Sequence, residues 1–370
     1  MSVTTLKPPA RSTARPTPVT SMIQFVTPQG SLTPQGEAYG VDTELARTMY
    51  RDMMLARRFD SEALSLQRQG ELNLWLMSWG QEAAQVGSVR ALRSSDMIFP
   101  SYREHAVALT RGLSPAQLMA QWRGCTHSGW GPSERRVHIN SLVLGTQTLH
   151  AAGYATGVVM DGADEVVTVY FGDGAASQGD VNEAFNWTAA GTLPVLFFCQ
   201  NNQWAISTPT ATQMATPIHR RAEGFGLTTY HVDGNDALAV HAVTAEAAEH
   251  IRDGRGPVLI EAQTYRRGGH SSSDDPGRYR DAEELALWES RDPLTRLRTL
   301  LAAHDADDAF FDSVDEECAA FGVEVREACR SIEEPNLDDV FASTYAEEHP
   351  LVEVERRVHA ARREFAGDVA

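Results

Sequence analysis

Residues 166–202 constrain the fold most. Val166 to Phe171 is a β-branched and aromatic run, Gly172-Asp173-Gly174 a turn, and a stretch of small residues at helical spacing follows. Val195 to Cys199 is a second apolar run, and it leads into Asn201-Asn202. Strand, helix and strand at this spacing make a βαβ unit, whose two strands run parallel. Both strand tips then lie on one edge of the sheet, where open α/β folds bind ligands. A carboxylate and an amide carbonyl brought together at such an edge suit a hard cation.

The flanking chain supplies elements of the same kind. Asp42 caps an expected helix over Thr43–Arg68, with Leu45, Met49, Met53, Phe59 and Leu64 as its apolar stripe and Gly70 as its stop. Gly80-Gln81-Glu82-Ala83 opens a second helix to about Leu92, and Ile98-Phe99-Pro100 reads as a short buried segment. Directly after it stands the polar cluster Ser101-Tyr102-Arg103-Glu104-His105. Such a cluster is either a helix start with solvated charges or an anion site in which Tyr102 and Arg103 grip phosphate oxygens. Residues 124–138 read as a loop. Gly145-Thr146-Gln147 opens a helix to about Val159 with small residues at 151, 153, 155 and 157, expected to be buried against another backbone. Later come a Thr- and Pro-rich loop over 204–217, a turn and helix cap at 232–236, and a buried strand from Pro257 to Tyr265. A polar loop over 266–280 hangs from that strand's end, a usual place for function.

Composition narrows the partners. The 370 residues carry a formal net charge of −18, which disfavours nucleic acid and anionic membrane surfaces. No apolar run approaches the roughly 20 residues of a membrane span. The four cysteines form no CxxC pair, as expected of reduced thiols in a cytoplasmic protein. Residues 1–36 lack Asp and Glu but carry Lys7, Arg11 and Arg15. Pro8, Pro9, Pro16 and Pro18 would break a transit-peptide helix, so residues 1–37 read as a flexible tail. The expected main domain covers 38–345, with a helical tail over 346–370.

The strand-tip motif admits two ligand classes. Gly172-x-Gly174-x-x-Ser177 nearly fits a dinucleotide fingerprint, but Asp173 would set a negative charge against the pyrophosphate. The acid expected about 20 residues on is replaced by Gln200-Asn201-Asn202. A magnesium-bridged diphosphate removes the conflict. Asp173, Asn202 and the backbone carbonyl of Trp204 would supply oxygens to Mg²⁺, while N–H groups of Gly174, Ala175 and Ala176 at a helix start face the phosphates. No Walker lysine follows a glycine-rich loop, which leaves a non-catalytic, phosphate-binding regulatory protein as the competing class.

The Gly172-Asp173-Gly174 triplet, followed after 26 residues (175–200) by Asn201-Asn202, resembles the thiamin diphosphate signature. More narrowly, residues 38–345 resemble the alpha subunit of a heterotetrameric 2-oxo acid dehydrogenase, the decarboxylating component. The wording Phe198-Cys199-x-Asn201-Asn202-x-x-Ala205-Ile206-Ser207-Thr208-Pro209 and Tyr265-Arg266-x-Gly268-x-His270-Ser271-x-Ser273-Asp274-Asp275 is most similar to the branched-chain enzymes, with the pyruvate type next. The resemblance implies an α/β fold of the thiamin diphosphate-binding type, a parallel sheet flanked by helices with helical extensions at both ends. It places Tyr102 and Arg103 on the cofactor diphosphate and Asp173, Asn202 and Trp204 on Mg²⁺. Gly174 and Ala175 would line the phosphates, and Leu144 would prop the cofactor in its bent form. Thr146 and Gln147 match a potassium-binding turn, and Arg266 and His270 belong to a catalytic loop closing over the cofactor.

The implied reaction is decarboxylation of a 2-oxo acid with reductive acylation of a lipoyl group on a partner acyltransferase. The resemblance also implies an assembly of two alpha and two beta subunits, the beta subunit supplying a glutamate against the cofactor's aminopyrimidine. Residues 38–160 read as mainly helical and the segment after 280 as short and helical, so no second α/β unit is expected within this chain. Two departures stand out: Gln200 and Trp204 occupy positions where many branched-chain relatives have Arg and Tyr. The loop before Asn140 also lacks a Met-Pro-x-His segment.

Overall fold

The computed structural model describes residues 22–366 apart from 126, 127, 305 and 335. Five parallel strands form its main sheet in the order β1-β2-β3-β7-β6. In chain order these are β1 (Met97–Phe99), β2 (Val167–Gly172), β3 (Val195–Asn201), a hairpin of β4 (Trp204–Ala205) and β5 (Thr208–Pro209), then β6 (Thr228–Asp233) and β7 (Val258–Gln263). The register runs Phe99↔Val169, Phe171↔Cys199, Asn201↔Gln263 and Asp233↔Gln263, so the carboxyl ends of all five strands gather at one edge.

Helices cover both faces, and that is why the central strands are apolar without alternation. Phe171, Phe197, Cys199 and Leu259 pack on one face against Ala151, Ala155, Val181 and Phe185 from the helices Thr146–Asp161 and Gly179–Gly191. Tyr170, Phe198 and Ile260 pack on the other against Ala84, Val240 and Ala247 from the helices Glu82–Arg90 and Ala237–Arg252. A third apolar layer joins Met49, Tyr50 and Met53 of the helix Thr43–Arg68 to Leu297, Leu301 and Phe311 from the C-terminal helices.

Several sequence readings change in detail. The helix expected directly after Asp173 is delayed. Ala175–Ser177 form a 3-10 turn, Gln178 is extended (φ −77°, ψ 144°), and the α-helix begins only at Gly179. The tighter turn tucks Ala175 and Ala176 into the apolar layer. Residues 124–138 are not wholly loop, because Pro132–Arg135 make one helical turn started by proline. The small-residue helix is buried on one face only: Ala151 and Ala155 are inside, whereas Gly153 faces outward and Gly157 is half-buried. Within the stretch 1–37, residues 1–21 lie outside the described residues. Residues 22–37 pack on the domain, with Ile23 bridging Val232 and Val26 buried. The C-terminal stretch is helical over Pro350–Ala366.

Candidate active site

The polar residues that follow β1, β2, β3 and β7 converge on one cavity of about 150 Å³. Its lining includes Tyr102, Arg103, Glu104, Leu144, Gln147, Asp173, Gly174, Ala175, Gln200, Asn202, Trp204, Ile206 and His270. Segments from four separate strand ends therefore meet there, as the parallel register requires.

Asp173 is 1% exposed at the end of β2. Its Oδ2 accepts hydrogen bonds from Thr210 Oγ1 at 2.8 Å and Gln213 Nε2 at 3.1 Å. Its Oδ1 is buried and accepts none. Burial pushes this carboxyl above its ordinary pKa, opposed by the Thr210 and Gln213 hydrogen bonds. A buried carboxylate oxygen without a donor is costly in a neutral fold and fits a cation. Asn202 lies beside it: its Nδ2 donates to Gln81 Oε1 (3.2 Å), which turns its Oδ1 toward the Trp204 amide (3.2 Å). Among the described residues no three His, Cys, Asp or Glu side chains group as a metal cluster. A cation here would depend on one carboxylate, neutral oxygens and ligand phosphates, the pattern of Mg²⁺ rather than of zinc.

The turn after Asp173 and the segment after β1 are closely packed. Gly174 has an ordinary helical φ of −61°, yet a Cβ there would meet the Ala205 Cβ at 2.8 Å. Glycine is thus required by the close approach of the β4–β5 hairpin. The cluster 101–105 is not solvated: Arg103, Glu104 and His105 are all buried. Arg103 donates to the carbonyls of Met77 (2.5 Å) and His270 (2.8 Å), a fixed guanidinium beside the cavity. Tyr102 stands edge-on to the His270 ring at 6.3 Å.

His270 sits on a loop that is fastened at several points. Its amide donates to Asp274 Oδ2 at 2.6 Å, and Tyr279 hydrogen-bonds the same carboxylate. Arg280 donates to the carbonyls of Arg266, Arg267 and Gly268, and the Ser272 amide donates to the Trp75 carbonyl. Burial, followed by the charges of Arg103 and Arg266, holds the His270 pKa down at about 4. Arg266 itself is buried and turned away from the cavity lining. It donates to the carbonyls of Ile206 (2.8 Å) and Trp204 (3.4 Å) and to Tyr279 Oη (2.7 Å). The Trp204 carbonyl proposed for the cation is thus already within reach of a guanidinium. Ile206, a β-branched residue at φ 54°, is held in that unfavourable conformation at the cavity rim by the Arg266 contact.

Leu144 lines the cavity. Gln147 reaches it from the start of its helix, donates Nε2 to the Tyr170 carbonyl (2.9 Å) and keeps a buried, unpartnered Oε1. Thr146 is half-buried and outside the lining.

Sequence reasoning did not nominate Gln81, Glu104, Thr210 or Gln213. Glu104 is raised above its ordinary pKa by burial, and its Oε1 accepts from Gln200 Nε2 at 2.6 Å. Gln200, singled out only as a departure, is therefore the partner of a buried carboxyl.

Comparison with known proteins gives the family. The family model described as dehydrogenase E1 component matches residues 50–336. The chain is 42% identical over 337 residues to a 3-methyl-2-oxobutanoate dehydrogenase subunit alpha of Mycobacterium tuberculosis, covering 90% of this chain and 92% of that protein. It is 36% identical over 332 residues to a mitochondrial 2-oxoisovalerate dehydrogenase subunit alpha 2 of Arabidopsis thaliana, covering 85% and 70%. Against the human mitochondrial 2-oxoisovalerate dehydrogenase subunit alpha the figures are 37% over 284 residues, covering 74% and 64%. With a family model matched over most of its length and relatives 36–42% identical, the chain belongs to the dehydrogenase E1 component family of enzymes.

Proposed function

We propose that this chain is the alpha subunit of a thiamin diphosphate- and Mg²⁺-dependent dehydrogenase that decarboxylates a branched-chain 2-oxo acid and passes the acyl group to a lipoyl group on a partner acyltransferase. The observation that carries the reading is the bare, buried Oδ1 of Asp173, set in one cavity with Asn202, the Gly174–Ala175 turn and Arg103. The names of the relatives supply the substrate class.

Thiamin diphosphate supplies the carbanion chemistry that decarboxylation requires. The chain's own residues would do the rest on the diphosphate side. Asp173 and Asn202 would hold Mg²⁺, with the Trp204 carbonyl as a further oxygen once the weak Arg266 contact lengthens. Gly174 and Ala175 would present backbone N–H groups to phosphate oxygens, and Arg103 and Tyr102 would face the same charge from β1. His270, neutral at pH 7 in the ligand-free site, would present a ring N–H as donor or a bare nitrogen as base to the reacting centre. The beta subunit would complete the site over the exposed rim.

The test uses the chain assembled with its beta partner. Wild-type protein should gain thermal stability from thiamin diphosphate plus Mg²⁺ and turn over 3-methyl-2-oxobutanoate faster than pyruvate. Asp173→Ala should lose the Mg²⁺-dependent gain entirely. An undiminished gain in that variant removes the metal assignment, and faster turnover of pyruvate reverses the substrate class.

A further inference from the structure

The short helix Thr210–Gln213 lies in what the sequence presents as a featureless Thr- and Pro-rich loop, yet two of its side chains reach back to the end of β2. Thr210 Oγ1 stands 2.8 Å from Asp173 Oδ2 and Gln213 Nε2 stands 3.1 Å from the same oxygen. Both side-chain donors are therefore directed at Oδ2, and Oδ1 is buried without a side-chain donor. This asymmetry fixes the carboxylate rotamer. The two oxygens are equivalent, so what the two hydrogen bonds fix is the torsion about the last bond, and with it the direction in which the second oxygen points.

The clip is itself braced. The Thr210 amide donates to the Gln203 carbonyl at 3.0 Å. Thr210 Oγ1 also lies 3.3 Å from Asn201 Oδ1, and the Asn201 amide is oriented by its Nδ2 donating to the buried Glu261 at 2.7 Å. The hydroxyl's single hydrogen goes to the nearer acceptor, Asp173. Glu261 is in turn held by the His219 amide (3.0 Å) and ring.

We propose that Thr210 and Gln213 are positioning residues for the cation: they occupy Oδ2 of Asp173 and thereby commit Oδ1 to the metal. The inference rests on the Mg²⁺–diphosphate reading above. Groups that orient a ligating carboxylate commonly change metal affinity by 10–100-fold when removed.

The experiment titrates Mg²⁺ into the assembled alpha–beta protein at fixed thiamin diphosphate, reading the thermal midpoint. Loss of the free Mn²⁺ resonance signal serves as a second readout in a parallel Mn²⁺ titration. Thr210→Val, which keeps shape and removes the donor, should raise the half-saturating cation concentration about tenfold or more. The plateau at saturating cation should match wild type. Thr210→Ser should return the half-saturation to the wild-type value. A packing role alone would lower the ligand-free midpoint and leave the half-saturation where it was. If Thr210→Val does not assemble, Gln213→Met on the half-exposed turn decides the matter, with a smaller rise in the same direction. A Thr210→Val titration coincident with wild type, or no rescue by serine, overturns the positioning role. Wild-type protein that shows no cation-dependent gain with thiamin diphosphate overturns the cofactor reading instead, and the positioning role with it.

Discussion

Two guanidinium groups and a partly buried setting decide how His270 behaves. Its pKa is held at about 4 by burial first and by Arg103 and Arg266 second, against about 6.5 for an unfolded histidine. Between these values the unfolded chain binds a proton that the folded chain refuses. Stability therefore falls as pH drops from about 6.5 toward 4 and is fully present above that window. His105, buried against Trp75, is likewise held at about 4 by burial and contributes in the same direction. Thermal midpoints of the wild-type chain should accordingly decline from pH 6.5 to 4. His270→Gln should show a shallower decline, with the remainder shared among His105, His231, His241 and His250, whose pKa values burial also lowers. A parallel pair of curves would mean that His270 titrates normally. On the proposed reading, a diphosphate beside Arg103 in the cavity would offset part of the positive charge that adds to burial in holding His270 down, and would raise that group's pKa.

Asp236 shows how one residue can join distant elements. It caps the helix Ala237–Arg252, with Oδ1 accepting from the Ala239 amide at 3.1 Å. Its Oδ2 accepts from the amides of Phe25 (2.7 Å) and Val26 (2.6 Å), so the same carboxyl straps residues 22–27 onto the sheet edge. Asp236→Ala would leave three amide donors without an acceptor, two of them in a nearly dry setting. The expected loss is about 3 kcal/mol, since a buried unsatisfied donor costs roughly 1–3 kcal/mol and the outermost one recovers water. A lowered thermal midpoint together with new thermolysin cleavage at 22–27 would show that cap and strap are one device. A lowered midpoint with the strap still protected would separate them. The cap half of this was legible in the sequence and the strap half was not. Local chemistry announces itself: Asp42 marks the start of the helix Thr43–Arg68 and accepts from the Leu45 amide as expected (3.0 Å). The strand tips bearing Asp173 and Asn202 were legible for the same reason, because period and turn residues are properties of a short window. Contacts across long sequence separations carry no such mark. Thr210 meets Asp173 from 37 positions away and Phe25 meets Asp236 from 211. The break at Gln178 escaped as well, because the residues 174–179 are equally compatible with a continuous helix, whereas in the structure the β4–β5 hairpin lies close against Gly174 and the chain turns tightly after it.

At the scale of the whole molecule the cavity is too small for its proposed occupant. Its volume of about 150 Å³ falls below the roughly 300–1,000 Å³ of sites that enclose a small molecule. Among the described residues the chain has one parallel sheet, and the polar groups that follow β1, β2, β3 and β7 line a single cavity at its edge. Among those residues there is no second parallel sheet edge. The rim is apolar and open instead: Leu142, Val143, Leu144 and Ile206 are 55%, 67%, 38% and 54% exposed. Such a cluster beside a polar cavity suits a protein surface, not water. An acidic group on that surface would finish what Asp173 and His270 begin, and the rim residues would be the first to lose solvent. The purified chain alone should therefore bind thiamin diphosphate and Mg²⁺ weakly and show no decarboxylation of 3-methyl-2-oxobutanoate above background. Addition of the beta chain should restore both binding and turnover. Leu142→Asp with Val143→Asp should weaken that restoration by raising the beta-chain concentration needed, while turnover at saturating beta chain stays within about threefold of wild type, because charges on a rim shift association more than chemistry. Turnover by the chain alone at a rate comparable to the mixture would show that one sheet edge is sufficient, and would place the missing acid among residues of this chain.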